Sequence, residues 1–275
     1  MNQPVSEVQT HYRLEGSLKE RVLAAIHESG LDPERLDPMA LCELDEFHTR
    51  GRKATQELAE YAEVPQGAHV VDVGSGLGGP ARFLASQYGC RVEGIDLTPQ
   101  FVETATMLSA GCGLAERTTF QQASALAMPF EDNRFEWAWT VQMQMNIADK
   151  AALYREIFRV LKPGGRFMFQ DIVADNGQPL EFPVPWASSP EISFLVPEDA
   201  LHVAMLEAGF QEVKWRNVSE VTKGAKNAKP QPPPYPALTL KLVMGEQIIN
   251  KRNNSRRALD EGKIAFVQGL MEKPA

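Results

Sequence analysis

The feature that most constrains the fold is a glycine-rich turn that follows a short apolar strand. The segment from Val70 to Pro80 has the spacing Gly-x-Gly-x-x-Gly. Glycine is needed in such a turn because the backbone bends sharply and a ligand must approach it without a Cβ in the way. Pro80 suits the first turn of a helix, where its missing N–H is not required. The segment therefore predicts a strand, loop and helix that bind a nucleoside-containing ligand.

Apolar periodicity downstream of this turn alternates between short strands and helices. The predicted strands cover 69–73, 91–96, 118–122, 135–141, 166–171, 211–218 and 263–271, and the predicted helices cover 80–88, 99–110, 150–160 and 197–208. Strands separated by helices of this length imply parallel βαβ units. We expect the last strand, which arrives late, to be an antiparallel edge strand. The sequence thus predicts an α/β fold with a doubly wound, mostly parallel seven-stranded sheet.

Helical segments are predicted outside this core. Residues 1–65 are predicted to form an N-terminal helical lid, 66–218 the core, 219–262 a helical insertion over the site, and 263–275 the final strand of the core. The connection before the last strand is too long to be bare loop in a compact domain, so we expect it to carry helices.

Charge and composition exclude several classes of function. The net charge of −8 argues against nucleic-acid binding, which depends on an excess of Lys and Arg. No segment reaches the roughly 20 apolar residues of a membrane span, and the polar N-terminus does not look like a secretory signal. Three distant cysteines and five scattered histidines give no metal-ligand pattern. We expect a cytoplasmic protein without a metal, and the sequence leaves room for a homo-oligomer.

Two carboxylates near the turn narrow the choice of ligand. Asp72 lies two residues before the first glycine, where a negative pyrophosphate would be disfavoured and a cation favoured. The alternative for Asp72 is a carboxylate that caps loop amides. Asp96 ends the second strand and is placed to accept ribose hydroxyls, or else to cap the helix that begins at Pro99.

Together with further motifs, these residues resemble the class I S-adenosylmethionine-dependent methyltransferases. The motifs are Asp72-Val-Gly-Ser-Gly-Leu-Gly-Gly, Gly94-Ile-Asp, Met128-Pro-Phe and Leu161-Lys-Pro-Gly-Gly. Segments 44–51, 145–147 and 182–187 resemble the small-molecule group around the sarcosine/dimethylglycine N-methyltransferases. The resemblance covers nearly the whole chain.

The resemblance implies S-adenosylmethionine as the cofactor and a set of residues that bind it. That set is Arg50, Asp72, Gly74, Ser75, Gly76, Gly78, Asp96, Leu97, Ser124, Ala125, Leu126 and Gln142. In it, Arg50 is a candidate partner for the cofactor carboxylate, with a solvated surface arginine as the alternative.

Two positions depart from the family pattern. Ser124-Ala125 stands where an Asp-Ala pair usually receives the adenine amino group, so the bond there would lack charge assistance. Val141-Gln142 stands where the sarcosine/dimethylglycine enzymes have Gln-His, which weakens the inference of an amino-acid substrate.

Methyl transfer from a sulfonium needs alignment more than it needs acid–base groups. No catalytic residue is identified by sequence, and the candidates for positioning the acceptor are Gln142, Gln144 and Asn146, whose amides could instead bind loop backbone. The candidates for contacting the acceptor are Tyr12, Phe182 and Trp186, whose rings would stabilise a methylated cation or else fill a lid core.

The acceptor is a small molecule in the preferred interpretation, with nitrogen slightly favoured as the acceptor atom. Residues 219–263 carry nine Lys or Arg and four acids, which favours an anionic acceptor, unless they form a solvated basic face. The alternative is therefore a C- or O-methyltransferase for a prenyl diphosphate or a phenol. Two hypotheses of another class are a nicotinamide-dependent oxidoreductase and a non-catalytic cofactor-binding module.

Overall fold

The predicted α/β architecture is present in the computed structural model, which describes residues 11–12, 16–224 and 233–275. Within these residues, seven strands form one mixed sheet in the order β3-β2-β1-β4-β5-β7-β6. The strands are β1 (His69–Val73), β2 (Arg91–Asp96), β3 (Thr118–Gln122), β4 (Phe135–Val141), β5 (Leu161–Ala174), β6 (Gln211–Asn217) and β7 (Ile264–Glu272). The predicted fold class is confirmed.

Ten helices accompany these strands in the described part of the chain. They are α1 (Leu18–Glu28), α2 (Cys42–Asp45), α3 (Gly51–Ala62), α4 (Gly79–Tyr88), α5 (Pro99–Gly111), α6 (Lys150–Val160), α7 (Glu198–Glu207), α8 (Ser219–Gly224), α9 (Lys241–Met244) and α10 (Ile248–Asp260). None of the helices in the described residues is both long and apolar enough to cross a membrane.

The late strand β7 is antiparallel, as predicted, but its expected position at the edge of the sheet is wrong. It pairs with β5 on one side, Phe169 opposite Gly269, and with β6 on the other, Trp215 opposite the same glycine. Eight of its nine residues are buried, whereas β6 is mostly exposed. A nearly continuous apolar run needs neighbours on both sides and both faces, and that requirement makes β7 an interior strand.

The fifth strand is also longer than predicted. Its predicted range begins after a turn at 162–165, yet β5 starts at Leu161 and includes those residues. The register against β4 jumps from Leu161, opposite Phe135, to Arg166, opposite Trp137. The predicted turn is therefore an irregularity within the strand, because the extra residues bulge between two paired positions.

Two compact units divide the chain, and each is described by itself. The first, called here the glycine-loop unit, comprises residues 13–129 and 230–245. Its three strands are parallel, with Val71 opposite Glu93 and Gly94 opposite Phe120. Ser17 caps α1 by accepting a hydrogen bond from the Glu20 amide at 3.2 Å. Because parallel strands end at the same edge, the glycine loop and Asp96 meet there.

The second, called here the C-terminal unit, comprises residues 1–12, 130–229 and 246–275. It contains β4 to β7 with α6, α7, α8 and α10. One apolar cluster joins its loops, strands and helices: Met145, Ile172, Val184, Trp186, Ala187, Ile192, Val218, Ala258, Leu259, Ile264 and Phe266. The predicted boundaries of a lid, a core and an insertion remain predictions, although helices do occur in the described parts of 1–65 and 219–262.

Candidate active site

The glycine loop has backbone geometry that side chains would disturb. Gly74, Gly76 and Gly78 have φ values of 79°, 53° and 76°, in the left-handed region where residues with a Cβ are strained. A Cβ on Gly78 would lie 2.6 Å from the Phe120 ring. The Gly74 and Ser75 amides both donate to the Ile95 carbonyl at 2.9 Å, which fixes the loop to β2. The loop therefore presents a tight backbone surface without side chains.

Asp96 joins this loop to the start of α5. Its Oδ2 accepts a hydrogen bond from the Gly76 amide at 3.0 Å, and its Oδ1 accepts one from the Thr98 amide at 2.8 Å. Burial raises the pKa of Asp96, and the bonds from Thr98 and Gly76 oppose that rise. Each carboxylate oxygen has two lone pairs, so both oxygens retain capacity for ribose hydroxyls. The helix-capping alternative and the ribose role are thus compatible.

Asp72 is a buried carboxylate that forms no ion pair with the residues the structure describes, although the charge of Arg82 opposes the rise of its pKa. It is 2% exposed, and its Oδ2 has no hydrogen-bond partner among the described residues. Burial, followed by the charges of Asp96 and Glu46, raises the pKa of Asp72 to about 8. The amides of Gly74 and Ser75 donate to Ile95 instead, which argues against the capping alternative. A cationic ligand would supply the missing partner.

Arg50 is a buried cation with unused donors. Its side chain is 5% exposed, which argues against the solvated-surface alternative. The Nη2 atom donates to Glu57 Oε2 at 2.5 Å, whereas Nε and Nη1 have no partner in the described part of the chain. These free N–H groups can donate charge-assisted hydrogen bonds to a carboxylate oxygen. Arg50 therefore suits the carboxylate of an amino-acid moiety.

The predicted adenine segment is a short polar turn in the same unit. The Ser124 hydroxyl oxygen accepts a hydrogen bond from the Leu126 amide at 3.2 Å, and the Ala127 amide donates to the Ser124 carbonyl at 3.1 Å. The remaining lone pair of the hydroxyl can accept a bond from an amino group. Leu97, which follows β2, is partly exposed, and its carbonyl accepts a bond from Gln122 Nε2 at 3.3 Å.

The sequence interpretation missed a buried ion pair that supports the glycine loop. Arg82 on α4 is completely buried and donates to Asp45 Oδ2 and to the Leu77 carbonyl, both at 2.6 Å. Burial raises the pKa of Asp45 to about 6, against the opposing charge of Arg82. A Cβ on Gly79 would lie 2.6 Å from the Asp45 carbonyl, so α2 contacts the loop directly. The one sequence signal is an arginine within an otherwise apolar helix.

A second missed network surrounds Glu46, which is buried. His48 Nε2 lies 2.7 Å from Glu46 Oε2, and the Thr55 hydroxyl donates to the same oxygen at 2.7 Å. Arg52 Nε lies 2.9 Å from the other oxygen. Although burial raises the pKa of Glu46, the His48 bond and the neighbouring positive charge lower it overall. Glu46 therefore keeps its negative charge in the same unit as Asp72.

In the C-terminal unit, the predicted positioning residues brace loops. Gln142 has a φ of 49°, and its amide donates to the Gln170 carbonyl at 2.7 Å. Gln144 Nε2 donates to the Ile172 carbonyl at 2.9 Å, and Asn146 Nδ2 donates to the Trp186 carbonyl at 2.7 Å. The side-chain amides of Gln144 and Asn146 thus bind backbone carbonyls, and contact of any of the three residues with an acceptor remains a prediction.

Buried charges not noticed in the sequence hold these loops. Asp171 accepts a hydrogen bond from its neighbouring Ile172 amide at 3.2 Å, and burial raises the pKa of Asp171 to about 7. The Lys150 ammonium donates to the carbonyls of Gln144 at 2.8 Å and Phe194 at 2.7 Å. Burial lowers the pKa of Lys150 to about 8. The sequence signal was weak because Asp171 ends a predicted strand and Lys150 begins a predicted helix, positions where charged residues are common.

The predicted aromatic residues are connected but do not share one open surface. Trp186 is 2% exposed, and its indole N–H donates to the Ser193 hydroxyl at 2.9 Å. Phe182 packs at the margin of the same apolar cluster. The Tyr12 hydroxyl donates to Asn146 Oδ1 at 3.2 Å, and Asn146 in turn binds Trp186. A cage for a methylated cation remains a prediction.

No group of three or more His, Cys, Asp and Glu side chains in residues 11–12, 16–224 and 233–275 is arranged to hold a metal ion.

Comparison with known families identifies residues 71–169 as similar to the family described as a methyltransferase domain. The segment begins within β1 and ends within β5, so it includes the glycine loop, Asp96 and the predicted adenine turn. This similarity counts against the nicotinamide-dependent oxidoreductase.

Relatives and solved structures agree with that assignment. The chain is 43% identical to the chloroplastic tocopherol O-methyltransferase of Arabidopsis thaliana over 36% of this chain and 28% of that protein. A geranyl diphosphate C-methyltransferase structure from Streptomyces coelicolor A3(2) has a TM-score of 0.67 at 17% identity and covers 98% of both chains. A putative sarcosine dimethylglycine methyltransferase structure from Galdieria sulphuraria has a TM-score of 0.63 at 20% identity, covering 81% of this chain and 85% of that one.

These similarities have different scope. The two solved structures show that this chain shares their fold. Sequence identities of 17% and 20% support no inference beyond the fold. The chain spans less than half the length of the curated relatives from Streptomyces halstedii, Arabidopsis thaliana and Oryza sativa that it matches.

Proposed function

We propose that this chain, which belongs to the class I S-adenosylmethionine-dependent methyltransferases, transfers the methyl group of that cofactor to a small-molecule acceptor. The observation that carries the proposal is the pair of unsatisfied buried charges in the glycine-loop unit. Within the described part of the chain, Asp72 Oδ2 and the Nε and Nη1 atoms of Arg50 have no hydrogen-bond partner. A ligand with one cationic and one anionic end satisfies both.

The residues present fit the cofactor in charge and in hydrogen-bonding type. Asp72 would balance the ammonium of the methionine moiety, and Arg50 would bind its carboxylate. Asp96 would accept the ribose hydroxyls, and Ser124 would accept a bond from the adenine amino group. The loop glycines leave room for the ligand against the backbone, which a dinucleotide would also need, but the charge of Asp72 disfavours a pyrophosphate.

When bound, the cofactor supplies an electrophilic methyl group on a sulfonium. The contribution that we assign to the protein is orientation, which is worth roughly 7–11 kcal/mol of the barrier in favourable cases. Arg82 and Asp45 would hold the loop in the shape that binds the cofactor, because Arg82 donates to Leu77 within the loop. The described residues thus act by fixing the donor rather than by forming a covalent intermediate.

The acceptor atom in this proposal is nitrogen, with carbon or oxygen of an anionic or phenolic acceptor as the second candidate. The second candidate is favoured by the names of similar proteins, a tocopherol O-methyltransferase and a geranyl diphosphate C-methyltransferase. A phosphoethanolamine N-methyltransferase of Zea mays, 32% identical over 133 residues, agrees with nitrogen.

Two acceptor panels separate these candidates. The full chain is incubated with methyl-labelled cofactor and either primary to tertiary amines or phenols and prenyl diphosphates. Transfer to the amine panel supports nitrogen, and transfer to the second panel alone refutes it. Arg50→Met serves as the control for cofactor dependence, because its label transfer should fall on every acceptor.

A further inference from the structure

Lys251 is a lysine on the buried face of α10. It is 8% exposed and lies between Ile248 and Ser255, which are buried on the same face. No hydrogen bond or ion pair of its ammonium occurs among the residues that the structure describes. By contrast, Lys263, which follows α10, pairs with Glu261 at 2.7 Å. An ammonium in such a mostly buried side chain is costly unless it is paired, so an anionic ligand would stabilise Lys251.

His11 is a second basic group in the C-terminal unit, and its ring interacts electrostatically with Lys251. Its ring is partly buried, and Nε2 lies 3.2 Å from the Pro185 carbonyl. A carbonyl only accepts hydrogen bonds, so Nε2 carries the proton and Nδ1 remains available. Burial and the charge of Lys251 both lower the pKa of His11. Burial likewise lowers the pKa of Lys251, and no carboxylate of the described residues offsets either effect.

One loop fixes both groups in place. Asn254, one helical turn after Lys251, donates from Nδ2 to the Pro183 carbonyl at 3.0 Å. His11 binds the carbonyl two residues later, and Asn146 Nδ2 binds the Trp186 carbonyl at 2.7 Å. Loop 183–186 is therefore tied to α10, to the N-terminal segment and to the loop after β4. A site held this way loses little entropy when a ligand arrives.

We propose that Lys251 and His11 form a binding site for the anionic group of the methyl acceptor, and that this group is a phosphate or diphosphate ester. The inference rests on the proposed function, since it names the class of acceptor. A phosphate carries up to two negative charges and several acceptor oxygens, which match the Lys251 ammonium and, once His11 takes up a proton at Nδ1, a second N–H donor. A single carboxylate is better matched by a guanidinium fork, which this pair lacks.

Binding of pyrophosphate tests the site without requiring the true acceptor. The full chain is titrated calorimetrically with pyrophosphate at constant ionic strength, as wild type, Lys251→Met and Arg256→Met. Arg256 is the matched control because it is an exposed cation on the same helix. We expect Lys251→Met to weaken pyrophosphate binding roughly tenfold or more, as loss of a charged hydrogen bond does. Arg256→Met should stay within about twofold, as expected for exposed charges.

Folding of the variant is checked independently. Methionine has a similar length and no charge, so Lys251→Met should unfold at the same temperature as wild type or above it. His11→Gln provides a second variant and should also weaken pyrophosphate binding.

Several results would overturn the inference. They are absence of pyrophosphate binding by the wild type, equal losses in Lys251→Met and Arg256→Met, and binding of succinate as tight as that of pyrophosphate. S-adenosylhomocysteine is titrated in parallel, and its affinity should not change in Lys251→Met. Failure of the wild type to bind S-adenosylhomocysteine would count against the proposed function, whereas the pyrophosphate titration decides the anion site.

Discussion

Replacing Asp72 by asparagine should stabilise the protein without cofactor and weaken its binding of the cofactor. The carboxylate is buried, and its pKa of about 8 compares with 3.8 for an exposed aspartate. That difference corresponds to about 6 kcal/mol of unfavourable free energy for the ionised form in the folded protein. Relaxation and water penetration reduce such penalties, and asparagine brings its own unsatisfied amide. We therefore expect a gain of about 1–3 kcal/mol in unfolding free energy at pH 8.

The gain in unfolding free energy of Asp72→Asn over the wild type should increase with pH. Because folding raises the pKa of Asp72, this group destabilises the folded wild type least when it is protonated in both the folded and the unfolded state, below pH 4. The wild type loses that stability as pH rises from about 4 towards 8. The Asp72→Asn variant has no such group, so its advantage should grow across this range and level off above pH 8. Thermal and urea unfolding at several pH values measure it.

Cofactor binding should change in the opposite direction. Loss of a charged hydrogen bond to the ammonium of S-adenosylhomocysteine should weaken its binding roughly tenfold or more. Glu34→Gln is the control, because it removes an exposed carboxylate from the same unit and should change neither quantity. The reasoning would be refuted if Asp72→Asn were less stable than wild type at pH 8, or if it bound S-adenosylhomocysteine with unchanged affinity.

Three further substitutions test the surroundings of Asp72. Arg50→Met should weaken S-adenosylhomocysteine binding roughly tenfold or more in a calorimetric titration, because the carboxylate loses two donors; an unchanged affinity would contradict its assignment. Arg82→Met should lower the unfolding free energy in urea by about 3–5 kcal/mol, since it leaves Asp45 buried and unpaired. Adding Asp45→Leu should recover much of that loss, and no recovery would argue against the ion pair. Gly78→Ala should reduce cofactor affinity more than stability, because its φ of 76° and the Phe120 ring leave no space for a Cβ.

Local sequence patterns predicted the first four strands of the sheet well. The ranges of β1, β2, β3 and β4 agree with the prediction to the residue. Three of them, β1, β2 and β4, are short runs built around apolar residues, and β3 carries Thr118, Thr119 and Phe120, residue types with high strand propensity. The position of β7 within the sheet was harder to predict from the sequence. Its place at the end of the chain favours an edge position, whereas its apolar sequence favours an interior one. The pairing with both β5 and β6 shows that β7 is an interior strand.

Contacts between distant residues account for most of what the sequence did not predict at the site. Asp45 and Arg82 are 37 positions apart, so no periodicity relates them. The basic residues of α10 illustrate the same limit. Arg256 and Arg257 are exposed, as a solvated basic face requires, whereas Lys251 on the same helix is buried. Helical spacing shows which residues share a face, but the packing of that face decides which charge lacks a partner.

The central claim is that the glycine-loop unit binds S-adenosylmethionine. Calorimetric titration of the full chain with S-adenosylhomocysteine tests it most directly, with NADH as the competing ligand class. The account predicts binding at one site, competition by S-adenosylmethionine, and no heat of binding with NADH. Binding of NADH without any binding of S-adenosylhomocysteine would contradict it.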